Sequence, residues 1–227
     1  FRRVLFRSFT EGFYYKPRVD MEVLEKYHEG IIALSACLAG EVATHLRKND
    51  YEGARKAAVK YRNIFGENNY FLEMQDHGIP DQATVNAGVM RLSKELGIPM
   101  VVTNDSHYIY AEDWEAHDVL LCIQTNRKVQ DENRMRYDGG QYYLKSKEEM
   151  AELFPYALEA LENTHKIAER CNVKIVFGEQ KVPRFDVPDG YTAEEYLEKL
   201  VYDGMERKYG IKYADTEGLG EGDKGYD

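Results

Sequence analysis

Three apolar stretches of this sequence each end in residue types that bind metal ions in proteins. They cover residues 30–37, 70–77 and 98–107, and they end in Cys37, in His77 and in the pair Asp105 and His107. Thiolate, imidazole and carboxylate groups are ligands for zinc, manganese and iron. One such ending would carry little weight, but three in succession predict a site for more than one metal ion.

The elements that would position these residues alternate along the chain. Each apolar stretch is predicted to be a strand, and helix-like segments lie between them at 53–65 and 83–96. Strands that alternate with helices favour an α/β fold with a parallel sheet or barrel. In a β/α barrel the C-terminal ends of the strands meet at one mouth, so we expect the three endings to converge there.

Asp105 and His107 form the sharpest pair of candidate ligands. Residues two apart in an extended segment project to the same side, so the carboxylate and the imidazole can bind one divalent ion or bridge two. The alternative is that Asp105 is a turn or capping residue and His107 a partly exposed loop histidine. The pair alone does not decide between them, and the other two strand ends favour the metal site.

Glu73, Gln75 and His77 alternate along their predicted strand and are therefore expected to face the same way. A glutamate on an otherwise apolar strand is costly unless it is paired or bound to metal, so Glu73 is a candidate residue lining the site. The alternative is that Glu73 pairs with a buried arginine or lysine. His77 would then only shape the turn before Gly78.

The remaining candidates rest on weaker signals. A free cysteine is most often a buried apolar residue of the core. Cys37 is a candidate ligand only because it lies beside the other predicted strand ends. Lys16 and Arg18, next to Tyr14 and Tyr15, are candidate phosphate contacts or parts of a solvated turn.

Other histidines and cysteines are interpreted as surface or packing residues. The histidines lie on or beside predicted helices with no partner at i+4. The set comprises His28, His45, His117, His165, Cys122 and Cys171. The sequence contains no phosphate-binding G-x-x-x-x-G-K-[ST] loop, no dinucleotide-binding G-x-G-x-x-G and no G-x-S-x-G elbow.

Composition limits the function classes. The formal net charge of the 227-residue chain is −10, and 43% of the residues are hydrophobic. Such a chain can bury a core, but its charge repels a phosphate backbone, so it is a poor main surface for nucleic acid. Three scattered cysteines exclude a disulfide framework and favour the cytoplasm. No apolar run approaches the ~20 residues of a membrane span.

The second half of the chain is predicted to be mainly helical. Helices are expected at 111–125 and 157–171, with a strand-like piece at 174–177. A capping box of Ser146 with Glu149 is expected to open another helix. The first of these helices carries an apolar stripe of Trp114, Val119, Leu120 and Ile123.

Domain boundaries follow from prolines and glycines. We place a first domain at 1–180, a linker at 181–190 and a further segment at 191–227. In the last segment Thr192 with Glu195 caps a helix that runs to about Tyr209, before a glycine-rich tail at 218–225.

Six motifs resemble one protein family, the alpha-subunit family of bacterial DNA polymerase III. This is the C family of replicative polymerases, and the resemblance lies in its PHP (polymerase and histidinol phosphatase) domain. It covers about residues 10–210, whereas residues 1–8 do not match. The motifs are EGFYYKPRVD (11–20), ALSACLAGE (33–41), YFLEMQDHG (70–78), TNDSHY (103–108), AHDVLLCIQT (116–125) and ENTHKIAERC (162–171).

The resemblance implies a partial, distorted (β/α) barrel followed by a helical connecting segment, with a cluster of zinc or manganese at the barrel mouth. Cys37, Asp105 and His107 match family ligands, and His77 lies in the family's strand-end motif. Some members use this cluster for 3′–5′ exonuclease proofreading. In others the site is degenerate and the domain is a platform for a separate proofreading subunit.

The resemblance also implies that this chain is a fragment. The family's opening H-x-H ligands, the polymerase aspartates and their magnesium fall outside it, so it contains no catalytic residue of the polymerase. The whole protein would bind primer-template DNA, deoxynucleotides, a sliding clamp and a proofreading exonuclease. Two rival functions stay open, a stand-alone PHP phosphoesterase and a non-catalytic scaffold.

We predict that this chain binds DNA weakly, because its charge of −10 opposes the phosphate backbone. It should also extend no primer, because the resemblance places the polymerase aspartates outside it. The measurement is fluorescence anisotropy with a labelled primer-template at about 0.15 M salt. A dissociation constant tighter than about 1 μM, the strong end of non-specific binding, would contradict the prediction.

Overall fold

The computed structural model describes residues 2–174, 176–178 and 185–212. Contacts divide the chain into two compact units, 1–172 and 173–227. The predicted domain boundary near 180 stays a prediction, because residues 179–184 lie outside the described part. The predicted glycine-rich tail at 218–225 lies outside it as well.

Helices and short strands alternate through the first half of the first unit, as the sequence predicted. These elements are α1 (Arg2–Thr10), α2 (Met21–Tyr27), β1 (Ala33–Leu34), α3 (Glu41–Arg47), α4 (Tyr51–Phe65), β2 (Tyr70–Met74), α5 (Pro80–Leu96) and β3 (Met100–Val102). The later elements are helical, namely α6 (Trp114–Thr125), α7 (Lys147–Leu153) and α8 (Leu158–Arg170). Short 3₁₀ turns lie at Ala111–Asp113 and Asp138–Gly140.

The three strands form a parallel sheet in the order β1-β2-β3. Ala33 lies opposite Tyr70, and Leu72 lies opposite Met100. This confirms the predicted mixed α/β fold with a parallel sheet. Among the described residues these strands do not close a barrel, so the barrel stays a prediction.

The strands are shorter than predicted. β1 covers two residues and ends at Leu34, so Cys37 lies in the turn that precedes α3 rather than on a strand. β2 ends at Met74, so His77 lies in the turn before α5. Both departures have the same cause, because an apolar run shows what is buried but not where the backbone pairing stops.

The core lies where α3, α4 and α5 pack around the central strand. β2 supplies Leu72 and Met74, which are both fully buried. α4 contributes small side chains such as Ala54 and Ala58, also fully buried. Close packing also depends on Gly88 of α5, because a Cβ there would lie only 2.6 Å from the side chain of Leu46 on α3.

Local sequence signals fix several helix ends. Asp20 accepts a hydrogen bond from the backbone N–H of Val23 at 2.9 Å, as expected of an N-cap. Ser146 and Glu149 form the predicted capping box at the start of α7. α5 begins at Pro80, earlier than the predicted 83, and is followed by Gly97 in the left-handed conformation with φ 68°.

One prediction about the elements was wrong, and two other features were not anticipated. The apolar stripe of α6 is exposed, from 46% at Val119 to 72% at Ile123, whereas Leu121 and Cys122 are buried. Helices α1 and α3 were not predicted, because both are short and carry several polar side chains. The described residues of the stretch 174–177 form no strand.

α8 covers the outer edge of β3. The side-chain amide of Asn163, which is 8% exposed, donates a hydrogen bond to the carbonyl oxygen of Met100 at 2.8 Å. That carbonyl points away from β2, because the neighbouring Pro99 carbonyl is the one that accepts from Leu72. α8 therefore satisfies an edge group that has no partner strand.

The second unit contains α9 (Ala193–Tyr209). Thr192 and Glu195 form the predicted capping box at its start, and it ends at Tyr209 as predicted. Within the described part of the chain, no helix is long and apolar enough to cross a membrane.

We predict that Leu72→Ala lowers the free energy of unfolding by about 3 kcal/mol, since it opens a cavity in the packed core. The measurement is urea unfolding followed by circular dichroism. Leu158→Ala is the matched control: Leu158 is 56% exposed, so the expected change is within about 0.5 kcal/mol. Equal losses in the two variants would show that the core is not centred on β2.

Candidate functional site

The loop that follows β3 is held by the segment 142–144. The backbone N–H of His107 donates to the carbonyl of Tyr142 at 2.7 Å, and Leu144 donates to the carbonyl of Tyr108 at 3.1 Å. Tyr108 and Tyr143 also form a parallel bridge. The loop is therefore fixed by backbone pairing although it lies outside the named strands.

Asp105 and His107 lie together in this loop, as the sequence predicted. The Nδ1 atom of His107 lies 2.9 Å from the backbone carbonyl oxygen of Asp105 and 3.8 Å from its carboxylate. A carbonyl oxygen only accepts, so Nδ1 carries the proton and the Nε2 lone pair is left unprotonated. This is the arrangement in which a histidine is ready to bind a metal.

His77 lies beside this pair but is buried, with 5% of its surface exposed. Its Nε2 atom accepts a hydrogen bond from the backbone N–H of Asp105 at 3.3 Å, and its ring stacks on Tyr142 with centroids 4.5 Å apart. Burial lowers the pKa of His77, and the nearby Asp105 carboxylate opposes that shift. Burial is the larger of the two effects, so the net shift of this pKa is downward.

Gln82 of α5 positions His77. Its Oε1 accepts from the backbone N–H of His77 at 2.7 Å, and its Nε2 lies 2.9 Å from the Nδ1 of the same histidine. The sequence analysis expected strand alternation to orient His77, whereas a side chain from the next helix does so. The sequence did not reveal the role of Gln82, because Gln82 lies on α5 and its partner His77 lies in the turn before that helix. No periodic pattern marks such a contact.

Glu73 joins the ends of the three strands. Its carboxylate accepts hydrogen bonds from the backbone N–H of Ala36 at 3.0 Å and from the side-chain amide of Gln75 at 3.3 Å, and also from the hydroxyl of Thr103. The sequence analysis expected either a basic partner or a metal. The donors that the structure shows are neutral.

Cys37 is placed beside Glu73 rather than beside Asp105. It lines a small cavity with Glu73 and Gln82, and it is exposed and free. In the described part of the chain, no three His, Cys, Asp or Glu residues are grouped to hold a metal ion. The structure thus brings His77, Asp105 and His107 together, whereas Cys37 lies beside Glu73 and Gln82.

His117 is a neighbour of the site that the sequence analysis assigned to the surface. Its ring centroid is 5.3 Å from that of His107 and 5.2 Å from that of Tyr137. Burial lowers its pKa, and the nearby His107 lowers it further. No sequence pattern marked His117 as a neighbour of the site, because Tyr137 reaches this cluster from a loop. Arg134 attaches that loop to Asp118 of α6 at 2.5 Å.

Two other histidines have partners that the sequence analysis did not assign. His165 lies 3.3 Å from Glu169 at i+4, and His45 lies 2.7 Å from Asp50. Both pairs are on the surface, so the interpretation of these histidines as surface residues is kept.

Lys16 and Arg18 lie in an exposed turn. Arg18 donates to the carbonyl of Tyr14 at 3.2 Å and places its guanidinium 5.9 Å from the ring of that tyrosine. These contacts agree with the solvated-turn alternative, and a phosphate contact stays a prediction.

A cavity of about 620 Å³ lies next to the Asp105 loop. Asn104 and Ser106, which flank Asp105, form part of its wall, and Lys145 and Lys147 line it as well. Burial lowers the pKa of Lys145. The volume is within the range of ligand pockets, about 300–1,000 Å³.

Comparison with known proteins supports the family resemblance that the six motifs indicated. The PHP domain family matches residues 3–77, so the match includes most of residues 1–8, which the sequence analysis had set apart. DNA polymerase III subunit alpha of Borreliella burgdorferi is 44% identical over 204 residues, 89% of this chain and 18% of that protein. The same subunit of Treponema pallidum is 43% identical over 206 residues, 90% of this chain and 18% of that protein.

A more distant relative gives the same match. DNA polymerase III subunit alpha of Thermus aquaticus is 38% identical over 213 residues, 91% of this chain and 17% of that protein. The chain therefore spans less than a fifth of the length of these curated relatives. The similarity continues well beyond residue 77, where the PHP match ends.

We predict that Glu73→Gln lowers the free energy of unfolding by about 1–3 kcal/mol, because an amide nitrogen cannot accept the hydrogen bonds that a carboxylate oxygen accepts. The measurement is urea unfolding. Glu67→Gln, at an exposed position, is the matched control and is expected to change stability by less than about 0.5 kcal/mol. A loss no larger than that of the control would mean that the carboxylate does not hold the strand ends.

Proposed function

This chain belongs to the DNA polymerase III alpha-subunit family, and we propose that it is part of the catalytic subunit of a bacterial replicative DNA polymerase. That subunit transfers deoxynucleotides to a primer end, with magnesium at a polymerase site outside this chain. The role of this region is a metal-binding PHP site that serves either 3′–5′ exonuclease proofreading or structure.

The observation that carries the metal site is the geometry of Asp105 and His107. Nδ1 of His107 is engaged by the Asp105 carbonyl at 2.9 Å, so the Nε2 lone pair remains available as a ligand. The Asp105 carboxylate lies 3.8 Å from Nδ1 of the same ring, so one divalent ion bound by both residues would require the Asp105 side chain to turn toward Nε2. Cys37, in the turn after β1, is the further ligand that the family resemblance implies.

The donors of this chain fit part of a metal centre. Two ligands hold zinc or manganese weakly, and the described residues do not add a third close by. When bound, a divalent ion supplies a water of lowered pKa and neutralises charge on a phosphate. Ligands from other parts of the whole protein would complete the set.

The cavity beside the Asp105 loop supports a phosphate-containing substrate. Lys145 and Lys147 line it, and Glu162 lies 3.9 Å from the Lys147 ammonium. The carboxylates of Glu149 and Asp76 also act on Lys145. The two ammonium groups are the contacts through which the phosphate of a DNA end would approach the Asp105 loop.

The partners follow from the same proposal. The whole subunit would bind primer-template DNA and deoxynucleotides, and would assemble with a sliding clamp and a proofreading exonuclease in the cytoplasm. The three free cysteines agree with a reducing compartment.

The second candidate function is a scaffold that docks a separate proofreading subunit. The stand-alone phosphoesterase is less favoured, because similarity to polymerase subunits continues through most of the chain and beyond the PHP match.

The experiment that separates these functions replaces Asp105 with alanine in the full-length polymerase. A catalytic metal predicts a fall in exonuclease rate while primer extension survives. A structural metal predicts that extension and melting temperature fall together. If exonuclease rate, extension and melting temperature all stay unchanged, the metal interpretation is wrong.

For this chain alone, we predict weak Mn²⁺ binding by calorimetry and no robust exonuclease activity, since affinity and water activation need a complete set of ligands. Asp105→Asn should lower the Mn²⁺ affinity by at least about tenfold. Asp189→Asn, at an exposed position remote in sequence, is the matched control and should leave it unchanged. Tight stoichiometric binding by the wild-type chain would show that the site lies elsewhere.

A further inference from the structure

The segment 126–137 connects α6 to the turn at Asp138–Gly140. Its residues all belong to the described part of the chain, and they form no helix or strand. Its aliphatic side chains, Val129 and Met135, are exposed, at 45% and 52%. Burial of aliphatic surface therefore contributes little to holding this segment in place. Its position depends instead on polar contacts and on the packing of Tyr137.

Arg134 supplies the polar contacts. Its guanidinium donates to both carboxylate oxygens of Asp118 on α6, from Nη1 at 2.6 Å and from Nη2 at 2.5 Å. It also donates to the carbonyl of Val129 at 3.2 Å and to that of Met135 at 3.3 Å. Only 2% of the Arg134 side chain is exposed, and 20% of that of Asp118. One shielded side chain thus folds the segment on itself and attaches it to α6.

Tyr137, at the end of the segment, carries it to the imidazole of His107. The ring centroids of these two residues lie 4.5 Å apart, with their planes at 48°. Tyr137 also meets Tyr142 edge to face at 4.7 Å. His117 of α6 and Tyr142 lie 5.3 Å and 5.7 Å from the His107 ring. The imidazole is therefore enclosed by aromatic rings, and Tyr137 is the nearest of them.

This enclosure decides where the open nitrogen of His107 points. The opposite nitrogen, Nδ1, lies 2.9 Å from the carbonyl oxygen of Asp105. One hydrogen bond leaves a ring free to tilt about it, and the ring of Tyr137 removes that freedom. The direction of Nε2 thus depends on both contacts.

We propose that Arg134 and Asp118 are positioning residues, which act through Tyr137 to fix the direction of the Nε2 atom of His107. Arginine suits this role because its planar fork binds both oxygens of a carboxylate, whereas lysine is a point charge on a flexible stem. The inference rests on the proposed function only for the use of Nε2 as a metal ligand. The placement of the ring belongs to the chain without metal.

The first test measures that placement in the full chain without metal. The ring protons of His107 are observed by ¹H–¹³C correlation at a fixed pH above the ordinary histidine pKa. Tyr137→Leu removes the aromatic ring beside His107 and should shift these resonances, whereas Tyr137→Phe keeps the ring and should leave them near their wild-type positions. Equal shifts in the two variants, or no shift in either, would overturn the role of Tyr137.

The second test asks whether Arg134 acts through Tyr137. Arg134→Lys keeps the charge but loses the fork, so the His107 resonances should move toward those of Tyr137→Leu. Arg127→Lys is the matched control, because Arg127 is exposed in the same segment, and it should leave the resonances unchanged. A purely structural role predicts a lower melting temperature with the His107 resonances unmoved, and that result would overturn the proposal.

Asp118→Asn tests the other half of the pair. Asparagine keeps the size of the side chain but offers only one acceptor oxygen, so the same resonances should move in the same direction. Combining it with Arg134→Lys should add little, because both changes remove one shared contact. Fully additive shifts would overturn the pairing. If Arg134→Lys does not fold, Asp118→Asn decides in its place.

Zn²⁺ alone is the probe for the consequence at the metal site. Arg134→Lys should lower the Zn²⁺ affinity of the chain by about tenfold, as loss of a group that orients a ligand does, and Arg127→Lys should leave it unchanged. Equal affinities of wild type and Arg134→Lys, despite a moved ring, would overturn the positioning role. If Zn²⁺ does not bind the wild-type chain but the resonances move as expected, the proposed metal site fails and the placement of His107 by Arg134 is upheld.

Discussion

The carboxylate of Glu73 receives hydrogen bonds from groups at the ends of all three strands of the sheet. Because each strand is short, backbone pairing alone fixes few residues, and two side chains at the strand ends, the carboxylate of Glu73 and the hydroxyl of Ser35, add hydrogen bonds to it. Ala36 shows this contribution most directly: it has φ 67°, a conformation that a non-glycine residue adopts at a cost, and its N–H is held by Glu73. The loops that carry Cys37 and Asp105 both start from these strand ends.

The candidate site is built from turns that polar side chains fasten to one another. Gln82 of α5 accepts from the backbone N–H of His77, the backbone N–H of Asp105 donates to the His77 ring, and Asn104 donates to the carbonyl of Tyr143. Such a network is specific because each donor faces one acceptor. The cost of this construction is that loss of one member leaves buried polar partners unsatisfied.

Much of the fold could be predicted from sequence because it depends on local or periodic signals. The alternation of apolar runs with helical segments indicated the parallel sheet, and capping residues such as Asp20 and Ser146 marked helix starts. The pairing of Asp105 with His107 was also predictable, because two residues apart is a local relation. Contacts such as Gln82 with His77 and His117 with Tyr137 depend on how separate elements approach, which no pattern within one element encodes.

Asn163 has a consequence for the behaviour of the chain in solution. An unpaired outer strand offers a template on which another chain can add a strand, and this is a common route to aggregation. By occupying the Met100 carbonyl, Asn163 and the helix that carries it block that template on the β3 side. On the other side, β1 is only two residues long, too short to guide a second chain into register. A covering helix thus protects one edge of the sheet, and the shortness of β1 protects the other. Both features hinder strand pairing between copies of the chain while it folds.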